Sequence, residues 1–137
     1  MANNDIHKAA GIIIKDRKVL VERSHDKPFF VQPGGKIEKG ETAKQALVRE
    51  LKEEFQIDVQ EADCEPIGTY SAEAANHPGQ TVHMQVFMVR TWQGELVPDN
   101  EVEVMHWLTS DIPKGMNVGS IMVHEIIPRL KAQNLID

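Results

Sequence analysis

One stretch of the sequence, residues 42–55, constrains the fold most, because it carries every signal of an amphipathic helix. Thr42 and Gln45 have the spacing of a capping box, and nothing after them up to residue 55 breaks a helix. Apolar residues recur at steps of four, at Ala43, Leu47, Leu51 and Phe55. This spacing gives the helix one face that must pack against a core. The rest of the chain has to supply the surface that covers that face.

Three glutamates lie on the same helix, and two of them, Glu50 and Glu54, share the edge of its apolar face. At about 100° per residue, measured from the first helical residue, Glu50 points to about −20°, Glu54 to about +20° and Glu53 to about −80°. Arg49 and Lys52 point towards solvent. Carboxylates beside a core are costly without a compensating cation, and like charges four residues apart repel each other. Two interpretations stay open, a solvated acidic face or a Mg²⁺ site.

The loop before this helix carries residue types that suit a metal and a phosphate. Gly34 and Gly35 allow the backbone to approach a ligand closely, and a glycine carbonyl there offers another hard oxygen. Lys36 follows them and is able to contact a phosphate as a point charge. Taken alone, a Gly-Gly-Lys triplet is also what an ordinary turn looks like, so the loop gains meaning only together with the helix.

The composition limits the partners of such a site. The 137 residues fit one domain over residues 1–137, and 15 basic against 21 acidic residues give a net charge of −6. So acidic a chain lacks the basic face that a nucleic acid polymer requires, whereas a phosphorylated small molecule is compatible if a metal neutralises the site. Cys64 is the only cysteine and no apolar run reaches the length of a membrane span. We therefore expect a cytoplasmic domain with no disulfide and no membrane partner.

The remaining segments predict a mixed architecture of strands and helices. Residues 7–14 and 19–21 are typical of a hairpin. Three further strands and a second helix are expected at residues 66–74, 81–92, 102–109 and 118–133. Turn residues separate them, among them the run from Asn76 to Gly79. Because strands outnumber helices and their order is mixed, we expect an α+β fold or an α/β/α sandwich rather than a regular βαβ array.

The loop and the first helix together resemble the Nudix box. That motif is glycine, five residues, glutamate, seven residues, arginine, glutamate, an aliphatic, any residue, two glutamates, any residue, glycine and an aliphatic. Here it runs over 23 residues, from Gly35 through Glu41 and the segment 49–54 to Ile57. The one departure is Gln56 in place of the late glycine. We expect it either to end the helix in a left-handed conformation at a small cost in stability or to make the helix slightly longer, without loss of catalysis. The resemblance implies the family's α/β/α sandwich with a mixed central sheet.

The resemblance also implies an activity. Members of this family hydrolyse a nucleoside diphosphate linked to another group and depend on Mg²⁺ or Mn²⁺. Carried over position by position, the metal ligands are the Gly34 carbonyl with Glu50, Glu53 and Glu54. Metals that bridge phosphates neutralise charge and align a water for in-line attack, and a nearby carboxylate takes its proton.

Further positions of the motif receive supporting roles from the same resemblance. Arg49 orients the glutamates, and Glu41 supports the junction of loop and helix. An acid outside the helix is expected as a further metal ligand and candidate base. Glu101, six residues before Trp107, has the spacing found in MutT-type members, and Glu103 competes with it for this role. Glu101 also fits an ordinary surface acid beside Asp99 and Glu103.

The segment 33–42 resembles MutT-type members most closely, which predicts a nucleoside triphosphate as substrate. These enzymes release a nucleoside monophosphate and pyrophosphate, and some act on the oxidised nucleotide 8-oxo-dGTP. Arg23, Lys36 and Asn117 are then the expected substrate contacts. Arg23 also fits a solvated loop arginine, and Asn117 also fits the N-cap of the last helix.

Other functions remain open at the level of the sequence. ADP-ribose, nucleotide sugars and dinucleoside polyphosphates are alternative substrates, although Ala72 stands in the region where ADP-ribose hydrolases tend to carry proline. A nucleotide-binding module of this fold without turnover is the alternative from another class. The length is compatible with a monomer and with a homodimer.

Overall fold

The computed structural model describes residues 5–74 and 78–137. The strands and helices of this part are, in chain order, β1 (Ile6–Ile12), β2 (Ile14–Lys15), β3 (Lys18–Ser24), β4 (Gly34–Lys36), α1 (Ala43–Phe55), β5 (Cys64–Glu73), β6 (Thr81–Val89), β7 (Val102–Leu108) and α2 (Ile127–Ala132). A 3₁₀ turn at Glu61–Asp63 and a π-helical segment at Met122–Ile126 complete the regular structure. Asn76 and His77, part of the predicted turn, lie outside the described residues.

The strands form two sheets that lie between the two helices. In the first sheet, of order β4-β1-β6-β5, β1 runs parallel to β6 and the other pairs are antiparallel. The second sheet, of order β2-β3-β7, is antiparallel. Ala9 of β1 joins the core under α1, whereas its neighbour Ala10 joins the core under α2, because successive side chains of a strand point to opposite faces. The predicted α+β sandwich with a mixed sheet is confirmed.

The predicted hairpin is wrong in its first strand. β1 pairs with β4 and β6; of the expected segment 7–14 only Ile14 belongs to a strand that pairs with β3, together with Lys15 just beyond the segment. Asp16 and Arg17 form the tight turn, with φ of 53° and 61°. Ile13, which is fully buried, joins one sheet to the other. The sequence pattern does not show where the chain passes from one sheet to the other, because the side chains on both faces of this segment are buried and apolar.

Helix α1 has the predicted limits and packing. Thr42 Oγ1 accepts the Gln45 N–H at 3.1 Å, and Gln45 Oε1 accepts the Thr42 N–H at 2.9 Å, which completes the capping box. Leu47, Leu51 and Phe55 are fully buried. Gln56 caps the end in the left-handed conformation, with φ 60° and ψ 27°, and its side chain donates to Asp99 at 2.9 Å. The departure from the family motif is therefore accommodated within the same helix length.

Glycine at position 56 is expected to be more stabilising than alanine. Both Gln56→Gly and Gln56→Ala lose the hydrogen bond to Asp99, but only glycine adopts the left-handed conformation without a Cβ penalty. We expect the glycine variant to exceed the alanine variant by about 1 kcal/mol in free energy of unfolding, or about 4 °C in Tm. Urea unfolding of the two variants measures this difference. Equal stabilities would mean that residue 56 bears no strain.

The second helix occupies the predicted region but is interrupted by a π-helical segment. The Ile127 N–H donates to the carbonyl of Met122, five residues earlier. Pro128 follows at once, and a proline ring crowds the carbonyl four residues before it, so a widened turn at this point relieves the contact. None of the helices in the described ranges has the length and apolar character that crossing a bilayer requires.

Candidate active site

Arg49 joins helix α1 to the loop that precedes it. Its Nε and Nη2 donate to the two carboxylate oxygens of Glu41 at 2.8 and 2.9 Å, and its Nη1 donates to Glu50 Oε1 at 2.9 Å. Nη2 also donates to the Lys36 carbonyl at 3.2 Å. The helical direction of Arg49 points to solvent, but its long side chain folds back over the loop. Arg49 thereby contacts both Glu41 and one of the three helical glutamates.

Glu41 and Arg49 hold each other in their charged forms. The hydrogen bonds from Arg49, together with the Glu38 N–H at 2.9 Å, lower the pKa of the Glu41 carboxyl to about 2. The same bonds raise the pKa of the Arg49 guanidinium. Because neither group changes its charge near neutral pH, this junction keeps one arrangement throughout that range.

The two loop glycines bring their backbone against two of the helical glutamates. A Cβ at Gly35 would lie 2.4 Å from Cδ and 2.5 Å from Oε1 of Glu50, so the Glu50 carboxylate occupies the space that any other side chain would fill. The Gly34 N–H donates to Glu54 Oε1 at 3.1 Å. Gly34 itself has φ +145°, and a Cβ there would lie 2.1 Å from the carbonyl oxygen of Ala9. Gly34 is therefore required by the backbone itself, whereas a side chain at position 35 would displace the Glu50 carboxylate.

Glu54 shares a buried environment with Glu22, a strand residue that the sequence analysis missed. Glu22 is 3% exposed, and its Oε2 has no hydrogen-bond partner. Burial raises the pKa of the Glu54 carboxyl, and the neighbouring Glu22 and Glu50 charges raise it further. Burial likewise raises the pKa of Glu22, with the charges of Glu50 and Glu101 acting in the same direction. Four carboxyl groups from three parts of the chain thus influence one another.

A sequence signal for Glu22 does exist. Val19, Leu20 and Val21 form an uninterrupted apolar run, and such a run predicts a strand that is buried on both faces. If the strand continues, an acid that directly follows such a run is buried on either face, because neither face of the strand is exposed to solvent. Val19 and Val21 lie in one core and Leu20 in the other, as this argument requires.

The metal-free protein is expected to lose stability as the pH rises above about 5. Glu22 and Glu54 have pKa values raised above their ordinary 4.5, so above that pH the folded state binds more protons than the unfolded state. Stability from this source is complete below pH 4.5 and is lost as the pH passes through the raised values. Urea unfolding in EDTA between pH 5 and about 8 measures the decline, which should be shallower in Glu54→Gln. An identical slope in both proteins would contradict the assignment.

The other predicted acids take different positions. Glu53 is exposed, and its Oε2 lies 3.5 Å from Nη1 of Arg49. Glu101 directly precedes β7, and its charge acts on both Glu22 and Glu50. Glu103 forms ion pairs with Arg23 and with His25, the latter at 3.3 Å. Glu101 is exposed, and its charge raises the pKa of Glu22 and of Glu50, whereas Glu103 is paired with basic side chains.

The predicted substrate contacts lie on three separate segments: Arg23 on β3, Lys36 at the end of β4 and Asn117 in the loop after β7. Arg23 pairs with Glu103 and lies over the Phe30 ring at 5.7 Å, and its buried Nε has no partner. Lys36 is exposed at the end of β4, opposite Lys8 in the register of β1. Asn117 is exposed, and only its backbone is engaged, where its carbonyl accepts the Phe30 N–H at 2.8 Å. Neither helical segment that follows it, Met122–Ile126 or Ile127–Ala132, has a side-chain cap.

The donor chemistry of this site fits a hard divalent cation. Glu22, Glu50 and Glu54 offer the carboxylate oxygens that such a cation prefers and repel one another without it, and a buried oxygen that has no partner, such as Glu22 Oε2, is costly without a counter-charge. As they stand, no three acidic, histidine or cysteine side chains of the described ranges are placed to hold a metal together. Two of the predicted ligands, Glu50 and Glu53, instead contact Arg49 at 2.9 and 3.5 Å.

The sequence and structure of this chain are similar to those of known proteins. A family model described as the NUDIX domain matches residues 5–118. The chain is 38% identical over 101 residues to an 8-oxo-dGTP diphosphatase of Proteus vulgaris, a match that covers 70% of this chain and 86% of the relative. It is 34% identical over 108 residues to an ADP-ribose pyrophosphatase of Methanocaldococcus jannaschii, covering 76% of this chain and 62% of the relative.

Solved structures show the same architecture. The solution structure of the Escherichia coli ORF135 protein matches with a TM-score of 0.75 at 25% identity, over 98% of this chain and 96% of that one. The crystal structure of a MutT NUDIX hydrolase from Burkholderia pseudomallei matches with a TM-score of 0.71 at 20% identity, over 82% of this chain and 90% of the other. The arrangement of the two helices about the strands is therefore shared with these proteins.

Proposed function

Because the chain belongs to the Nudix family of hydrolases, which act on nucleoside diphosphates linked to another group, we propose that its substrate is a nucleoside triphosphate. The products are then the nucleoside monophosphate and pyrophosphate, and an oxidised guanine nucleotide such as 8-oxo-dGTP is the leading candidate. The observation that carries the proposal is the pair of partly buried carboxylates, Glu50 and Glu54, beside the Gly34-Gly35 backbone. The similarity to a relative named 8-oxo-dGTP diphosphatase supports this choice of substrate.

The proposal gives each part of the site a task. A bound Mg²⁺ or Mn²⁺ supplies charge neutralisation and polarises the phosphoanhydride. The Gly34 carbonyl and the glutamates at positions 50, 53, 54 and 101 would hold this ion. Arg49 positions Glu50 through the 2.9 Å hydrogen bond, and because Arg49 also holds Glu41, loop and helix keep a fixed relation. Lys36 is assigned to the phosphates, since it is an exposed cation at the end of β4.

We assign proton acceptance from the attacking water to Glu101 rather than to Glu103. Glu101 acts electrostatically on Glu22 and Glu50, so it belongs to the acidic side of the site. Glu103 is engaged by Arg23 and His25, so its carboxylate oxygens are already occupied by these two side chains. Arg23 and Asn117 are assigned to the nucleotide base, because the guanidinium and the amide are able to donate hydrogen bonds to a purine edge.

ADP-ribose is the second candidate substrate, because a relative named ADP-ribose pyrophosphatase is 34% identical to this chain. The two candidates differ in the group that leaves. A nucleoside triphosphate releases pyrophosphate, whereas ADP-ribose yields AMP and ribose 5-phosphate. The two reactions are therefore distinguished by their products in one assay.

A substrate panel with purified protein tests the proposal. The panel contains the four deoxynucleoside triphosphates, their ribonucleotide counterparts, 8-oxo-dGTP and ADP-ribose, each with Mg²⁺ and each with EDTA. We expect monophosphate and pyrophosphate in a ratio of one to one, with activity lost in EDTA. Cleavage of ADP-ribose alone would overturn the choice of substrate. Tight nucleotide binding without turnover on any member of the panel would favour a binding module instead. Gel filtration with light scattering, on the full chain 1–137, decides between monomer and homodimer.

A further inference from the structure

Glu22 is the one charged side chain that is buried among residues 5–74 and 78–137. Its position is fixed by the backbone, because its N–H donates to the Val31 carbonyl and its carbonyl accepts the Val31 N–H, both at 2.8 Å. It also pairs with Met105 in the register of β3 with β7. The strand is therefore held on both sides and is not free to move the carboxyl group into water. A buried carboxylate held in this way needs a partner.

The surroundings of Glu22 supply too little positive charge. Glu54 from α1 contacts it, and Glu50 and Glu101 add negative charge from the same side. Lys8 from β1 is the cation whose charge reaches it, and Lys8 is itself half-buried and repelled by Lys27 and Lys36. One lysine thus stands against four acids. Oε2 of Glu22 meanwhile has no hydrogen-bond donor within reach.

Two arrangements satisfy such a group. In the first, Glu22 and Glu54 share one proton and act as a structural pair, which leaves Oε2 of Glu22 without a partner. In the second, a cation lies between β3 and α1 and takes an oxygen from each element. The second arrangement uses the orphaned oxygen and also relieves the repulsion from Glu50 and Glu101, so the observations favour it.

We propose that Glu22 is a ligand of the divalent cation, opposite Glu54, and that it supplies the oxygen Oε2. The inference rests on the proposed function only in taking the cation to be the one that serves hydrolysis. Glu22 lies outside the motif of residues 35–57, on a strand of the other sheet. Glu22 would therefore be a metal ligand from a strand that the motif does not include.

Binding of Mn²⁺ to the full chain without nucleotide tests this inference. Glu22→Gln keeps the shape of the side chain and removes its charge, and Glu65→Gln, an exposed acid on β5 paired with Arg90, is the matched control. By electron paramagnetic resonance and calorimetry, Glu22→Gln should weaken Mn²⁺ binding about 10- to 100-fold, and the control should leave it unchanged. In EDTA the Tm of Glu22→Gln should rise, because an uncompensated buried charge is removed.

The opposite pair of results would overturn the inference. If Glu22 only shares a proton with Glu54, Mn²⁺ affinity stays at the wild-type value and the Tm in EDTA falls.

If Glu22→Gln does not fold, Glu22→Asp is used instead. Its shorter side chain withdraws the oxygen and should again weaken Mn²⁺ binding, and unchanged affinity would reject the ligand role. The result is independent of the substrate panel, because Mn²⁺ binding is measured without turnover. If the wild-type protein cleaves no nucleotide of the panel but Glu22→Gln still weakens Mn²⁺ binding, the proposed function is refuted and this inference stands.

Discussion

Replacing Glu54 by glutamine is expected to lower turnover about 10²- to 10³-fold while the protein stays folded. The amide keeps the size of the side chain, but it removes a charge that lies buried between the Gly34 N–H and Glu22. Stabilisation of the charge that develops on the transferring phosphoryl group depends on such carboxylates through the cation they hold. Steady-state kinetics on the best substrate of the panel measures the effect on kcat.

Two further measurements separate a local effect from a general one. The Tm of Glu54→Gln in EDTA should equal or exceed the wild-type value, because the variant loses a carboxylate that Glu22 and Glu50 repel. Glu65→Gln, whose side chain is half exposed, should retain full activity. Turnover within threefold of wild type in Glu54→Gln would reject Glu54 as part of the catalytic site.

The second large effect is expected from Gly35→Ala. The added methyl group would lie 2.4 Å from the Glu50 carboxyl carbon, so that carboxylate has to move. Because a displacement of about 1 Å at a catalytic group is able to cost about 10²-fold in rate, we expect a loss of that order in kcat together with weaker Mn²⁺ binding. The Tm should change little, since the group that yields is the end of a flexible side chain and not the backbone.

Two other glycines provide controls for this variant. Gly115→Ala meets no atom within 4 Å, but φ is +85° there, so it should cost about 1 kcal/mol of stability and no activity. Gly34→Ala would collide with the Ala9 carbonyl oxygen at 2.1 Å and should impair folding as a whole. Full activity of Gly35→Ala, with normal Mn²⁺ binding, would show that neither depends on the position of the Glu50 carboxylate next to Gly35.

The helix was predictable from the sequence in detail, because its signals are local. Thr42 and Gln45 satisfy each other within one turn, and Leu47 and Leu51 require only that some core exists. Gln56 follows the same logic, because the left-handed end of a helix is a local conformation. The identity of the family followed from the same region, since residues 35–57 contain nearly all the fixed positions of the motif.

Contacts between distant segments were not predictable in this way. The pairing of β1 with β6 joins residues more than seventy positions apart, and the sequence of β1 equally fits a hairpin. Glu22 was missed for the same reason, since its importance depends on α1 lying against β3. The pairing of Glu103 with Arg23 likewise depends on how β7 is placed beside β3. Spacing along the chain carries no information about such encounters.

The division of the strands into two sheets has a consequence for motion. Gly34 and Lys8 belong to one sheet, whereas Glu22 belongs to the other, and α1 covers the gap with Glu54. A cation bound by these acids would therefore link the two sheets and limit the motion of one against the other. Amide hydrogens of β3 and β4 should then exchange with deuterium more slowly when the site is filled than when it is empty, even where no atom of the ligand touches them.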